Sequence, residues 1–304
     1  MAIEIKEKKV LSSDKEHMLA GIVYIPDGTT KGLIQISHGM VEHMGRYDRF
    51  MRDMAEDGYI VFGCDQLGHG RTVRDESELG FIAHRDGWKR LVDDVTVFGD
   101  AVREEYGRDL KYTLLGHSMG SFIARLAAQR DMYDKLILSG TAGPNPLSRA
   151  AIAILRAEKA VKGERCVSPA SEKIAFGKYN KRFDEGDPHS WLTKDAEVRR
   201  KYSADPFCSF HFTLSALEDL AHLQHECNAK EWAGSLNRTK PVLLISGTGD
   251  PVGDYGKGVR KVFDMLSDAG VPVKMRLYEN CRHEVLNEDC YDEAVGDIRR
   301  FISE

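Results

Sequence analysis

Tyr112-Thr113-Leu114-Leu115-Gly116-His117-Ser118-Met119-Gly120 is the stretch on which the reading of this chain turns. Its first half is an apolar run of strand length. After it, Met119, Phe122, Ile123, Leu126 and Ala127 recur at helical spacing. Between the two lies G-x-S-x-G. A strand that passes straight into a helix through this motif places its serine on a strained turn, with the hydroxyl exposed above the sheet edge. The glycines two residues either side remove side chains where strand and helix crowd together. The helix N-terminus behind the serine favours developing negative charge. Such a serine needs a base, an acid, oxyanion donors and a pocket from the rest of the chain.

Outward from this turn, strands and helices alternate. Residues 3–10 and 17–26 read as an antiparallel edge hairpin. Strands are expected at 32–37, 59–64, 135–140, 241–246 and 273–278. Helices are expected at 43–56, from Trp88 to Val102, at 255–269 and at 288–302. This alternation implies an α/β protein with a mostly parallel sheet and helices on both faces. The pattern breaks between about 143 and 235. There, helical pieces begin at Ser148 and at Ser168-Pro169 and lie at 194–202 and 210–232, with no strand. A helical insertion between two parallel strands is expected to cover the C-terminal strand ends, where open α/β sheets bind ligands. The expected division is therefore a core of 1–142 and 236–304, with a cap of 143–235.

The 304 residues carry a net charge of -5, with 42% hydrophobic and 30% charged residues. Acidic and basic residues are mixed, and no basic block is present to neutralise a phosphate backbone, which argues against nucleic-acid binding. Met1 to Lys9 alternates apolar and charged residues and lacks the apolar core of a signal peptide. No apolar run is long enough to span a membrane. The six cysteines are scattered without C-x-x-C, which reads as free thiols in a reducing cytoplasm.

A serine hydroxyl needs a base, and the base an orienting acid. With G-x-S-x-G on a strand-to-helix turn, the chain order is Ser, acid, His. His189, His211, His222 and His225 fall in the insertion, whereas His283 follows the last strand in Asn280-Cys281-Arg282-His283 and is the expected base. Asp250, in Ser246-Gly247-Thr248-Gly249-Asp250-Pro251, is the preferred acid, with Asp254 and Glu279 as rivals. The amides of Met119, directly after the serine, and of Met40, in the His38-Gly39-Met40 turn, are the expected oxyanion donors.

His38-Gly39, Asp65-x-x-Gly68-His69-Gly70, Gly116-His117-Ser118-Met119-Gly120, Gly247-x-x-Asp250-Pro251 and Arg282-His283-Glu284 stand in the order seen in the monoacylglycerol lipase and lysophospholipase branch of the α/β-hydrolases. The stretch His38 to Tyr47 resembles that branch's HG-x-x-EH-x-x-RY pattern. The resemblance covers the core and reaches the cap only in position and helical content. It implies the α/β-hydrolase fold and a serine hydrolase of carboxylic esters such as a monoacylglycerol or lysophospholipid. Ser118, Asp250 and His283 match the triad, and Met40 and Met119 the oxyanion hole. No metal or organic cofactor is implied.

Other readings stay open. Glu42 and Arg46 are either binders of a polar head group or the charged face of a solvated helix start. His222, His225 and Glu226 read as a polar helix surface rather than a zinc site. His38 and His69 are expected to hydrogen-bond within their turns, Asp65 to anchor the Gly68–Gly70 turn, and His117 to point away from the serine. The apolar helix near Ala150–Leu155 is either the inner face of a cap or a transient contact with a membrane surface. A capped peptidase would need acids to hold an amine, with Glu158, Glu164, Glu172 and Glu185 as candidates. A non-catalytic receptor would usually lack a triad member. The oligomeric state is left open.

Overall fold

The architecture comes from a computed structural model that describes residues 3–304; Met1 and Ala2, at the start of the alternating N-terminal stretch, lie outside the described residues. The strands are β1 (Glu4–Leu11), β2 (Met18–Ile25), β3 (Gly32–Ser37), β4 (Tyr59–Cys64), β5 (Tyr112–His117), β6 (Lys135–Ser139), β7 (Val242–Gly247) and β8 (Val273–Tyr278). They form one sheet in the order β1-β2-β4-β3-β5-β6-β7-β8. β1, β2 and β4 pair antiparallel, and every pairing from β4 through β3 to β8 is parallel.

The central strands are apolar throughout because both of their faces are covered. Successive side chains point to opposite faces. Leu33, Leu114, Leu136, Leu138 and Leu244 join the core on one side, while Ile34, Leu115, Ile137, Leu243 and Ile245 join the other. The first face is covered by α2 (Gly87–Tyr106), α3 (Met119–Ala127) and α8 (Lys257–Asp268), and the second by α1 (Asp48–Glu56) and α9 (Tyr291–Ser303).

Between β6 and β7 lie four helices, α4 (Ser148–Lys162), α5 (Pro169–Phe176), α6 (Ala196–Ala204) and α7 (Leu214–Glu226), joined by loops and single 3-10 turns. Ser168 caps α5 and Pro169 opens it, as the sequence predicts. Arg125 of α3 holds both ends of this insertion. Its guanidinium donates to the Ala142 carbonyl at 3.1 Å, to Asn228 Oδ1 at 3.0 Å and to the Cys227 carbonyl. It also lies 4.0 Å from the Trp232 ring centre, and no carboxylate pairs with it among the described residues.

Several helices are shorter than their periodicity suggests, and each shortening serves a contact. The helix expected from His43 begins as a 3-10 turn over Met44–Tyr47, with α1 starting only at Asp48. The helix expected from residue 255 starts at Lys257, because Asp254, Tyr255 and Gly256 all take positive φ and bring the Tyr255 amide back to the Asp250 carbonyl at 2.8 Å. Glu288 stays out of α9 and instead accepts from the Arg282 and Lys194 amides, each at 2.9 Å. The helix expected over 210–232 is confined to α7 by the Thr213 cap and by the turn that buries Trp232.

Candidate active site

Ser118 stands between β5 and α3 at φ 52° and ψ -121°, a positive-φ conformation that a non-glycine residue adopts only under constraint. The constraint is local. A Cβ on Gly116 would run into the Gly120 carbonyl, and one on Gly120 would overlap the carbonyl oxygens of Ser37 and His38. Strand and helix can therefore meet this closely only with glycine at both positions. The Ser118 amide is tied to the Ser139 carbonyl at 2.9 Å.

His283 and Asp250 meet beside it. His283 Nδ1 lies 2.9 Å from Asp250 Oδ1, and both side chains are fully buried. Asp250 also accepts from Ser246 Oγ and from the Val252 amide, each at 2.9 Å. Burial pushes the Asp250 carboxyl up, but His283 and these donors outweigh it and hold the group below the usual aspartate range. An ionised Asp250 makes Nδ1 the donor. The other nitrogen, Nε2, is left buried without a partner and makes no hydrogen bond to Ser118 Oγ in this arrangement. Burial pushes the imidazole down, while Asp250, Glu284 and Glu42 push it up, and the balance lies above the ordinary histidine value. The rivals are not brought to the ring: Asp254 begins the positive-φ turn after Pro251, and Glu279 is exposed and faces Thr248.

The expectation for His117 is corrected. Its ring does not point away from the serine but lies against His283, with centroids 4.7 Å apart, on the wall of the same cavity. Burial, then the neighbouring His283, pulls His117 down to about 4 and keeps it neutral.

Of the two readings for Glu42 and Arg46, the solvated face is not what the structure shows. Arg46 donates to Glu284 through two hydrogen bonds of 2.7 Å and to Glu42 Oε2 at 2.8 Å. Glu42 further accepts from Tyr47 Oη at 2.8 Å and from the Gly39 amide. The two carboxylates are buried and the guanidinium nearly so, with three of its N–H groups held by them. Burial raises Glu42, yet Arg46, His117 and His38 bring it down to about 2. Two carboxylates facing one guanidinium leave one surplus negative charge near His283. Glu42 and Glu284 reach the cavity wall; Arg46 does not.

The loop that carries Met40 is under tension as well. Val41, a β-branched residue, has φ 55°, and its carbonyl accepts from Tyr202 Oη of α6 at 2.9 Å. Asp65 does more than anchor its own turn: it accepts from the Arg71 and Met44 amides, each at 2.8 Å, and so ties the two loops together. His38 likewise reaches beyond its turn, accepting at Nε2 from the Gln66 amide at 3.0 Å, whereas His69 stays local through Leu67. Met40 and Met119 line the cavity beside Ser118, and the Met119 amide, first in α3, has no intrahelical acceptor.

The cavity has a volume of about 610 Å³. Its floor is Ser118, His117, His283 and Gly39. Its walls are largely apolar and come mainly from the insertion, including Leu147, Ile154, Leu155, Ile174 and Leu217. Trp191 also lies on it, a residue that no periodic pattern in the sequence singles out.

Among the described residues, no cluster with metal-ligand spacing lies on this cavity. His222 stacks on Trp88, and His225 Nδ1 pairs with Ser148 Oγ at 2.8 Å. Among the described residues, His43, Asp205 and Cys208 form the one cluster with ligand spacing. There His43 Nδ1 accepts from the Gly45 amide, so Nε2 holds the proton and donates to Asp205 at 3.0 Å.

This arrangement has known counterparts. Residues 28–290 match the family model described as serine aminopeptidase, S33. The chain is 28% identical to the monoacylglycerol lipase of Mycolicibacterium smegmatis, over 96% of this chain and 98% of that one. It is 35% identical to the monoglyceride lipase of Mus musculus, over 91% of this chain and 84% of that one. The structure superposes on a thermostable carboxyl esterase from Bacillus coagulans, solved with glycerol, at a TM-score of 0.92 and 29% identity, covering 100% of this chain and 98% of that one. The chain belongs to the serine aminopeptidase S33 family, in the monoacylglycerol lipase-like branch of the α/β-hydrolases.

Proposed function

We propose that this carboxylester hydrolase cleaves monoacylglycerols and similar single-chain acyl esters through an acyl-enzyme on Ser118. The observation that carries the reading is the state of His283: its Nδ1 is committed to a buried, ionised Asp250, and its Nε2 has no partner beside a strained serine.

In this reading Ser118 Oγ attacks the acyl carbon and its proton passes to His283 Nε2. The tetrahedral oxyanion accepts from the Met40 and Met119 amides, and Asp250 stabilises the imidazolium. The alcohol leaves with the proton held by His283. Water then gives a proton to the same nitrogen, attacks the acyl carbon, and the fatty acid departs as Ser118 regains its hydrogen. No step requires a cofactor.

Residues 143–235 serve as the lid. Its apolar wall suits an acyl chain, and Glu42, at the polar end near Gly39, suits the hydroxyls of a glycerol-like alcohol. Leu147 just before α4, Ile154 and Val161 on α4, and Ile174 on α5 are exposed, which fits transient contact with a lipid surface. The localisation proposed remains the cytoplasm. The acids considered for amine capture are engaged elsewhere: Glu158 with Lys162, Ser168 and Ser171, Glu164 with His84, Glu172 with His211, and Glu185 with Arg282. None of these four lines the cavity, so the cap acids that an amine-binding site would need are not supplied there.

The test is a panel of p-nitrophenyl esters, monoacylglycerols, lysophospholipids and aminoacyl-anilides, run on wild type and Ser118→Ala. Ester turnover abolished in the variant, with fluorophosphonate labelling at Ser118 in the wild type, is the expected result. Residual ester turnover by Ser118→Ala would remove the nucleophile assignment. Turnover of anilides without esters would move the reading to a peptidase, and absence of labelling to a receptor.

A further inference from the structure

The insertion contributes something to the base as well as to the pocket. Trp191 packs against His283 in a tilted pair, with ring centroids 5.1 Å apart and planes 39° from parallel. With His117 at 4.7 Å, the imidazole is enclosed by two rings from different parts of the chain.

The position of Trp191 is built from every side. Arg282, directly before the base, donates Nη1 to the Ser190 carbonyl at 2.5 Å, and Glu284, directly after it, donates its amide to the Leu192 carbonyl at 2.9 Å. Thr193 Oγ1 donates to the Asn287 carbonyl at 2.8 Å. Residues 190–193 therefore run along the His283 loop as a fixed strap. The Trp191 amide donates to Asn180 Oδ1 at 3.0 Å, and the Tyr179 ring backs the indole at 4.9 Å.

We infer that Trp191 is a positioning residue for the reaction: it fixes the plane of the His283 imidazole and stabilises the imidazolium through its π face. The inference rests on His283 being the base. An aromatic face attracts a cation, and more strongly where water is excluded. His283 becomes a cation only during acyl transfer, so the attraction strengthens as the transition state forms, which is the condition for an effect on rate rather than on binding alone. Neutral His117, the other ring against His283, offers no such stabilisation. The charged groups around the ring are Asp250 from the β7–α8 loop, Glu284 from its own loop, and Glu42 with Arg46 from the turn before α1; Trp191 supplies the face that carries no charge.

The experiment compares wild type, Trp191→Phe and Trp191→Leu on a short, water-soluble p-nitrophenyl ester that does not fill the acyl pocket. Rates are referred to the concentration of sites titrated by a fluorophosphonate, so that misfolded protein does not count. Trp191→Leu is expected to lower kcat about tenfold with KM little changed. It is also expected to shift the acidic limb of the pH profile to lower pH by roughly half a unit to one unit, because the imidazolium loses a stabilising neighbour. Trp191→Phe is expected to restore most of both effects. The downfield proton resonance of His283 Nδ1–H reports the same shift without turnover. A change in KM alone, an unmoved limb, or equal effects of Phe and Leu would overturn the inference. Turnover retained by His283→Ala, or no titratable Ser118, would instead overturn the catalytic reading on which it rests.

Discussion

Arg46 and Glu284 are joined by two parallel hydrogen bonds of 2.7 Å, although 238 positions separate them in the chain. The fork ties the turn that carries Gly39 and Met40 to the loop that carries His283. Arg46→Lys keeps the charge but not the paired geometry. It is expected to lower kcat about tenfold with a modest loss of stability. Arg46→Met leaves two buried carboxylates without their counterion and is expected to cost about 3–5 kcal/mol of stability. Steady-state kinetics and thermal melting of the two variants check both statements.

In the proposed mechanism His283 must be neutral to accept the serine proton. Because the folded pKa of His283 is raised, the rate is expected to fall as pH drops through a midpoint above the ordinary histidine value of 6.5. Asp250→Asn removes the group that raises it and reverses the donor at Nδ1. The variant is expected to lose three to four orders of magnitude in kcat, on the order known for such substitutions in other triads, and to shift the midpoint downward. A pH series of kcat/KM on a soluble ester measures both.

Gly120→Ala would set a methyl group into the carbonyl oxygens of Ser37 and His38. The expected result is loss of both activity and melting temperature, or failure to fold. Gly234→Ala meets nothing within 4 Å and has no positive φ, so it is expected to melt with the wild type and retain full activity. Thermal denaturation of the pair separates crowding at the serine turn from a general intolerance of alanine.

Asp219 of α7 is buried and accepts from the Trp88 amide at 3.0 Å, at the start of α2, with its second oxygen unpartnered. Burial raises its carboxyl to about 7. A carboxyl with a raised folded pKa keeps its proton in the native state between its unfolded value of 3.8 and 7, while the unfolded chain releases it. Stability from this group therefore declines as pH rises through that window. Asp219→Asn keeps the acceptor and removes the titration. The variant is expected to match the wild type near pH 4 and to melt progressively higher than it as pH rises to 7 and beyond. Melting curves at several pH values decide it.

The sheet and the order of its helices are legible in the sequence because parallel strands buried on both faces must be apolar runs, and Leu114-Leu115 or Leu243-Leu244-Ile245 cannot serve a half-exposed sheet. The serine turn is legible because only glycine tolerates the approach of Gly120 to Ser37. Strand order brings the loops of His283 and Asp250 together, but the choice of Asp250 over Asp254 and Glu279 is made by the turn after Pro251, which sequence spacing does not show. Glu42 and Arg46 are harder, since helical spacing says that two charges are near each other but not which way they face. Their burial depends on Glu284, which local patterning cannot connect to them. His117 at the end of β5 was expected to turn outward, but the strand's last residue lies on the side that His283 occupies. Trp191 is invisible for a related reason: it sits in a loop without periodicity, and its position is fixed by backbone carbonyls that any residue supplies.

Arg125 gives the insertion a property of a cassette. Its entry, at Ala142, and its exit, at Cys227 and Asn228, converge on one guanidinium rooted in the helix that follows Ser118. Ends pinned to one donor pass little of any change in the segment between them on to the helix that follows Ser118.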